Sequence, residues 1–165
     1  FMVSFATSLA MVENRIFMGN GNIISLILQD ELLHKGWTAF LINQVVKEDE
    51  RFHSIQEECK DEVYALYMDV IREEKEWADY LFQKGPVIGL NANILKDFVD
   101  YTALESLKAI GIKYNEPAPR VSPIPWFNKH SDTSKKQTAL QENESTNYVI
   151  GVMSESLDYD ALPEL

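Results

Sequence analysis

Asp30, Glu31 and His34 are the residues of this chain whose types and spacing could do metal chemistry. Glu31 and His34 are three positions apart, so on a helix their side chains project from the same face, about one turn from each other. Carboxylate and imidazole ligands suit iron or manganese, and a carboxylate can bridge two metal ions. Asp30 stands next to the pair, placed to hydrogen-bond a ligating histidine. The spacing therefore predicts part of a two-metal site of the kind built inside helical bundles.

The same pair has a plainer explanation, because Glu-x-x-His also arises by chance on solvated helix faces. Its apolar neighbours favour a metal site, since a carboxylate and an imidazole on an apolar face cost free energy unless they are paired or coordinated. These neighbours are Ile27, Leu28, Leu32 and Leu33. A two-metal site also needs a second Glu-x-x-His and carboxylates from other helices. We expect this chain to supply about half of such a set.

The composition is that of an ordinary globular domain. The chain has 165 residues, 45% of them hydrophobic and 25% charged, which suffices for one core. A net charge of −11 argues against nucleic acid as a direct partner, because phosphates are neutralised by clustered Lys and Arg. No apolar window reaches the ~18 to 20 residues of a membrane helix, and the start lacks a signal-peptide pattern. The single cysteine, Cys59, excludes an internal disulfide and fits a cytoplasmic location.

The hydrophobic periodicity predicts an all-α fold without strands. We expect helices at 1–18, about 23–46, 52–83 and 94–110. Gly19 to Asn22 separates the first two, with Asn22 as the N-cap of the second, and so short a break predicts antiparallel packing. Asn91 or Asn93 caps the fourth helix, and Gly111 closes it.

The chain changes character after Gly111. Four prolines between residues 117 and 125 exclude a helix interior, and Trp126 and Phe127 supply rings that would tie this Pro-rich strap to the helices. The polar stretch that follows predicts a flexible linker. No Lys or Arg follows Lys136, so the end is an acidic tail, typical of a segment that orders on a partner. We therefore divide the chain into a helical domain, a strap, and a linker with a docking tail, at 1–116, 117–130 and 131–165.

Several segments, taken together, resemble the radical-generating small subunit of class I ribonucleotide reductase, of the bacterial and T-even-like phage type. They are Val3–Ala6, Gly19–Asn20, Ile23–Ile27, Asp30–His34, Glu74–Phe82, Ile88–Asn91, Pro123–Trp126 and Tyr148–Gly151. The resemblance covers essentially the whole chain, in order, and corresponds to the C-terminal half of such a subunit. It implies the C-terminal helices of a ferritin-like bundle, followed by the strap and the tail. Because the chain also begins with Phe in mid-pattern, we expect a piece of something longer.

The resemblance also implies roles for single residues. Glu31 and His34 match the last Glu and the last His of the di-iron ligand set. Asp30 matches the aspartate that leads the radical away from the metal-bound histidine. The apolar pocket that shields a tyrosyl radical is matched by Phe1, Phe5 and Ile27. Tyr148 matches the tail tyrosine that relays the radical. The tail residues expected to bind the large subunit are Glu142, Tyr148, Val149, Leu157, Leu162 and Leu165.

Departures from the family pattern limit what this chain does alone. The radical tyrosine, the first Asp, Glu and His ligands and a further Glu ligand belong upstream of Phe1. Gln29 stands where many relatives have Arg, which alters the contact expected there. Glu13 matches no ligand and is expected at the surface. His130 is expected in the linker without a companion, and His53 in solvent.

Two functions follow. As an enzyme component, the chain would join the missing N-terminal half and form a homodimer, in the cytoplasm or in a host's cytoplasm if phage-encoded. With iron, or manganese, it would generate a radical and pass it through Asp30 and Tyr148 to the large subunit, which reduces ribonucleotides to deoxyribonucleotides for DNA synthesis. Alternatively, it is a catalytically incomplete module that docks on the large subunit through its tail. An unrelated ferritin-like protein is disfavoured by the strap and the tail. A split gene and a partial sequence would both give such a chain.

Overall fold

The computed structural model describes residues 2–132. Its regular elements are α1 (Met2–Glu13), α2 (Met18–Glu48), α3 (Glu50–Leu81), α4 (Ala92–Ala109) and a 3₁₀ helix (Pro125–Lys129). Over this range no strand forms, apart from one isolated bridge between Val87 and Leu90. The predicted all-α class is therefore confirmed. No helix within 2–132 combines the length and the apolar character needed to cross a membrane.

The break between α1 and α2 comes earlier than the sequence predicts. Because α1 ends at Glu13 and α2 begins at Met18, the predicted break at 19–22 lies inside α2. The turn is made instead by Arg15 and Phe17, whose φ angles of 60° and 54° lie in the left-handed region. Side chains with a Cβ carry a steric cost there. The prediction that Asn22 caps the second helix is wrong.

Gly21 shows why glycine is needed inside α2. A Cβ built on Gly21 would overlap the side chain of Val12 in α1, so glycine lets the two helices approach closely at this end. At the opposite end, Phe5 of α1 and Leu28 of α2 line one cavity. Residues early in α1 thus lie beside residues far along α2, and the two helices are antiparallel as predicted.

Alanine substitutions at two glycines of α2 should act in opposite directions. We expect Gly21→Ala to lower the free energy of unfolding by about 1–3 kcal/mol, because the Val12 side chain must shift to admit the new methyl group. A Cβ built on Gly36 meets nothing within 4 Å, so Gly36→Ala should raise it by about 0.5–1 kcal/mol through helix propensity. Urea denaturation followed by far-UV circular dichroism measures both. Effects of the same sign would contradict the close approach.

One residue, Asp49, joins α2 to α3. Its backbone is extended, with φ −140° and ψ 115°, and its N–H donates to the Val45 carbonyl at the end of α2. Its carboxylate accepts the backbone N–H of Arg51 at 2.9 Å and the guanidinium of the same residue at 2.6 Å. Asp49 is therefore the N-cap of α3. The gap of residues 47–51 between the second and third predicted helices is therefore reduced to this single residue.

Side chains form hydrogen bonds with backbone groups at both ends of α4. Asn91 Oδ1 accepts the backbone N–H of Ile94 at 3.0 Å, so Asn91, and not Asn93, is the cap. At the other end, carbonyls that the helix cannot pair internally accept hydrogen bonds from two neighbouring helices. Asn43 of α2 donates to Ala109, and Gln56 of α3 donates to Ile110. The amides thus tie α4 to α2 and α3.

The core is centred on α4, which contributes more buried side chains than any other helix of the described range. Its buried apolar residues are Leu95, Phe98, Val99, Ala103 and Leu107. The segment after Gly111 adds Ile112, Tyr114, Ile124 and Phe127 to this core. Phe127 packs edge-on against Phe98, with ring centroids 5.0 Å apart. The division of the chain at residues 116 and 130 stays a prediction.

A buried carboxylate holds the start of that segment. Asp100 Oδ1 accepts the hydroxyl of Tyr114 at 2.6 Å and lies 2.7 Å from Lys75 Nζ. Burial raises the pKa of the Tyr114 hydroxyl, and the hydrogen bond to Asp100 raises that pKa further. The hydroxyl is therefore a stable donor, and it connects residue 114 to α4 and, through Lys75, to α3.

Candidate metal centre

Glu31 and His34 lie together in the middle of α2, as their spacing predicts. Glu31 Oε2 is 3.6 Å from His34 Nδ1. The side chains are 50% and 74% exposed, respectively, so within residues 2–132 they are not desolvated. The pair can present one carboxylate and one imidazole to a common ion, because both project from one turn of the same face.

Both residues line a cavity of about 370 Å³ to which all four helices contribute. Its walls are largely apolar and include Phe5 of α1, Leu28 of α2, Ile71 of α3 and Val99 of α4. Its ionisable lining residues are Glu31, His34, Lys35, Tyr67 and Glu74. An apolar chamber with a few polar groups at its edge is the usual form of a ligand or cofactor site.

The ligand set is incomplete within the described residues. Glu74 lines the cavity, but its Oε2 accepts the backbone N–H of Val3 at 3.0 Å and so caps the start of α1. Among residues 2–132, no three His, Cys, Asp or Glu side chains are grouped so that they could hold a metal ion. Glu31 and His34 therefore fit one side of a metal centre, and the remaining ligands must come from elsewhere.

A second Glu-x-x-His pair, Glu50 and His53, escaped the sequence argument although the spacing is the same. Both residues are exposed in the first turns of α3, and the cavity lining does not include them. Spacing alone would have found this pair. Position in the fold separates it from Glu31 and His34.

Apolar side chains flank the candidate ligands along α2. Ile23, Ile27, Trp37 and Leu41 are 42–61% exposed, and helical periodicity places them on the face that carries Glu31 and His34. We call these four residues the α2 stripe. An exposed apolar face of this extent is typical of a surface that another polypeptide covers. The candidate ligands thus lie inside a prospective contact surface.

The other predicted site residues are only partly brought together. Phe5 lines the cavity, whereas Ile27 lies on the α2 stripe outside the cavity lining. Asp30 is exposed on α2, next to Glu31. Phe1 lies outside the described residues, and so do the predicted tail residues Glu142, Tyr148, Val149, Leu157, Leu162 and Leu165.

His130 has partners, contrary to the sequence prediction. Its Nε2 lies 2.8 Å from Glu13 Oε1, its Nδ1 lies 3.1 Å from Ser25 Oγ, and its carbonyl accepts Gln29 Nε2 at 3.3 Å. Lys129 Nζ donates to the second Glu13 oxygen at 2.6 Å. We call these five residues the Glu13 clamp. Hydrophobic periodicity could not predict the Glu13 clamp. Its contacts join α1 and α2 to Lys129 and His130, more than 100 residues further along the chain. Glu13 is exposed at the surface as predicted, and its carboxylate is also paired with Lys129 and His130.

The clamp predicts an acid-sensitive contribution to stability. Burial acts to raise the pKa of the Glu13 carboxyl, but hydrogen bonds and charge from Lys129 and His130 outweigh it and lower that pKa below its ordinary 4.5. A carboxyl with a lowered folded-state pKa stabilises the fold above its unfolded pKa and loses that contribution as pH falls through the folded value. We therefore expect Glu13→Gln to be less stable than the parent at neutral pH, and the difference to shrink below about pH 4.5. Urea titrations across this range measure it, and a pH-independent difference would contradict the prediction.

Comparison with known proteins adds an independent finding. Residues 1–119 match the family model described as ribonucleotide reductase, small chain. The chain is 40% identical over 164 residues to ribonucleoside-diphosphate reductase 1 subunit beta of Salmonella typhimurium, covering 98% of this chain and 43% of that protein. It is 33% identical over 162 residues to the ribonucleoside-diphosphate reductase subunit beta of Enterobacteria phage T4, covering 96% of this chain and 42% of that protein. The chain thus spans less than half the length of these relatives.

Proposed function

Since the chain belongs to the ribonucleotide reductase small-chain family, we propose that Glu31 and His34 are its share of a metal centre completed by further ligands. The observation that carries the proposal is the pair itself, 3.6 Å apart beside an apolar cavity and within the α2 stripe. Coverage of this face by a second polypeptide would desolvate both side chains. Burying a carboxylate and an imidazole without a partner costs free energy, so desolvation of Glu31 and His34 favours their coordination to a metal ion.

Each residue has a distinct role in this proposal. Glu31 provides an anionic oxygen ligand, and His34 provides a neutral imidazole nitrogen. Asp30 would hydrogen-bond a metal-bound histidine and begin the path by which the radical leaves the metal. A bound redox metal, iron or alternatively manganese, would supply the one-electron oxidising power that these side chains lack. Phe5, together with Phe1 and Ile27, would exclude water and reductants from the radical.

The wider activity follows from the family. With the remaining part of a small subunit, the chain would form a homodimer and serve a large subunit in reducing ribonucleoside diphosphates to deoxyribonucleotides. Tyr148 would relay the radical to that subunit, and the surrounding tail residues would dock there: Glu142, Val149, Leu157, Leu162 and Leu165. We place this activity in the cytoplasm, or in a host's cytoplasm for a phage protein.

Co-expression tests the proposal. The chain is produced together with the part of the Salmonella beta subunit that lies upstream of the matched region, and the purified complex is assayed for iron or manganese by elemental analysis. Stoichiometric metal and a tyrosyl radical signal in electron paramagnetic resonance are expected for the complex, and neither for the chain alone. Soluble, associated partners that bind no metal would contradict the proposal.

The incomplete ligand set favours a second candidate function. Because no three ligand-type side chains are grouped within residues 2–132, the chain would act without metal, as a module that occupies the large subunit through its tail. A peptide spanning Tyr148 to Leu165 should then displace the full chain from a large subunit. Failure of this peptide to compete would remove the module, and metal uptake on co-expression would favour the enzyme component.

A further inference from the structure

The Glu13 clamp holds both the side chain and the backbone of His130. Glu13 at the end of α1 receives His130 Nε2 on one carboxylate oxygen and Lys129 Nζ on the other. Ser25 of α2 meets His130 Nδ1, and Gln29 of α2 donates to the His130 carbonyl. The residue is therefore fixed to α1 and α2 at once.

The clamp pairs a largely buried imidazole with a carboxylate at the surface. The His130 side chain is 13% exposed and that of Glu13 is 26% exposed, whereas Lys129 is 55% exposed. The His130 ring also meets the Trp126 ring edge-on, with centroids 6.5 Å apart. Partly buried charged hydrogen bonds contribute more to order than exposed ones, because water and salt screen them less.

The position of the clamp along α2 places it next to residues of the proposed reaction. Gln29 immediately precedes the proposed relay residue Asp30 and lies two positions before the proposed ligand Glu31, so the His130 backbone is bound close to both along α2. Tyr148 lies sixteen residues beyond Asp132 in the sequence. A fully extended chain of that length spans about 55 Å, so Tyr148 can lie no further than this from Asp132. The starting point of the tail therefore sets which surfaces Tyr148 can reach.

We propose that His130 is a positioning residue, which fixes beside Gln29 the backbone from which residues 133–165 continue. The consequence for Tyr148 rests on the proposed function, but the fixed departure point does not. Loss of the imidazole would leave the chain beyond the buried ring of Phe127 held less firmly, by the exposed Lys129–Glu13 pair and by the Gln29 contact with the His130 carbonyl. Residues 133–165 would then start from a range of positions instead of one.

Distance measurement by pulsed electron paramagnetic resonance tests the proposal on the full chain. Spin labels are attached to Lys47→Cys at the end of α2 and to Ser134→Cys just after the clamp, in a Cys59→Ser background. We expect one narrow distance distribution for the parent and a distribution about twofold wider for His130→Ala. Glu13→Gln and Gln29→Ala should each widen it to a smaller extent, since Glu13→Gln keeps one side-chain oxygen as an acceptor and Gln29→Ala removes only the contact with the His130 carbonyl.

Two further variants separate the hydrogen bonds from general effects of substitution. His130→Gln keeps an N–H that can reach the Glu13 carboxylate and should restore most of the narrow distribution. His53→Ala, which removes an exposed histidine, should leave the parental distribution unchanged. An unchanged distribution in His130→Ala would overturn the proposal. So would equal broadening in His130→Gln, because the packing of the ring, and not its hydrogen bonds, would then be responsible.

The outcome is independent of the proposed function. The distances are measured without metal and without a large subunit, so the clamp can hold even if the co-expressed complex binds no metal. The opposite outcome is also distinguishable. If the co-expressed complex binds metal but His130→Ala keeps the parental distance distribution, the proposed function stands and the positioning role of His130 is wrong.

Discussion

Replacing Glu31 with alanine is expected to lower the metal affinity of the co-expressed complex at least about 100-fold, since even outer partners of metal ligands contribute 10- to 100-fold. His34→Ala should have an effect of the same order, because each substitution removes one of the two proposed ligands within residues 2–132. Both side chains are at least half exposed, so the stability of the chain alone should change by no more than about 0.5 kcal/mol. Metal titration and urea denaturation measure the two quantities separately.

Glu50→Ala and His53→Ala are the matched controls. They remove the same side chains at the same spacing, but from the exposed first turns of α3 and away from the cavity. Neither should change the metal affinity of the complex. Equal losses from both pairs would mean that general charge, and not position on α2, determines metal binding.

Phe98→Ala is expected to lower the free energy of unfolding by about 3–5 kcal/mol, in the range of other buried Phe truncations. Phe98 is 2% exposed, and its ring contacts Phe127 edge-on at 5.0 Å and Tyr101 at 6.4 Å. The substitution would leave a cavity at the place where α4 meets the segment after Gly111. Urea denaturation measures the loss, and the segment around Phe127 should also exchange its amide hydrogens faster.

Phe52→Ala provides the comparison, because Phe52 is 44% exposed. Its truncation should cost about 1 kcal/mol or less, since much of its area is already in water in the folded state. If both phenylalanine substitutions cost the same, the core would not be centred on α4 as described.

The sequence predicted the features of the fold that depend on local patterns. The helix at 94–110 was located to within two residues, because Asn91 can cap it with its own side chain and Gly111 can adopt φ 79°. The first turn was misplaced for a physical reason. Glycines usually mark breaks, but Gly21 serves close packing against Val12, while Arg15 and Phe17 adopt the left-handed turn.

The site residues that could be predicted are likewise those related by a local pattern. Glu31 and His34 could be found because one helical turn relates them, and a local pattern records that relation. The Glu13 clamp could not be found, because His130 is brought to Glu13 and Ser25 only by the packing of the whole chain. The exposure of this face could not be predicted from a local pattern either. The apolar neighbours of Glu31 favour a buried face, whereas the α2 stripe is exposed to solvent within the described residues.

The single-residue joint at Asp49 has a consequence for the order of folding. Contacts across such a joint close almost no loop, so they cost little chain entropy and form early. Leu41 and Val45 of α2 line a common cavity with Ile55 and Val63 of α3, which makes the two helices a local hairpin. Contacts between α1 and α4, by contrast, join residues about ninety positions apart and must wait for the chain between them. We therefore expect the α2–α3 hairpin to form before α1 and α4 come together, so that the helix bearing Glu31 and His34 gains tertiary structure early.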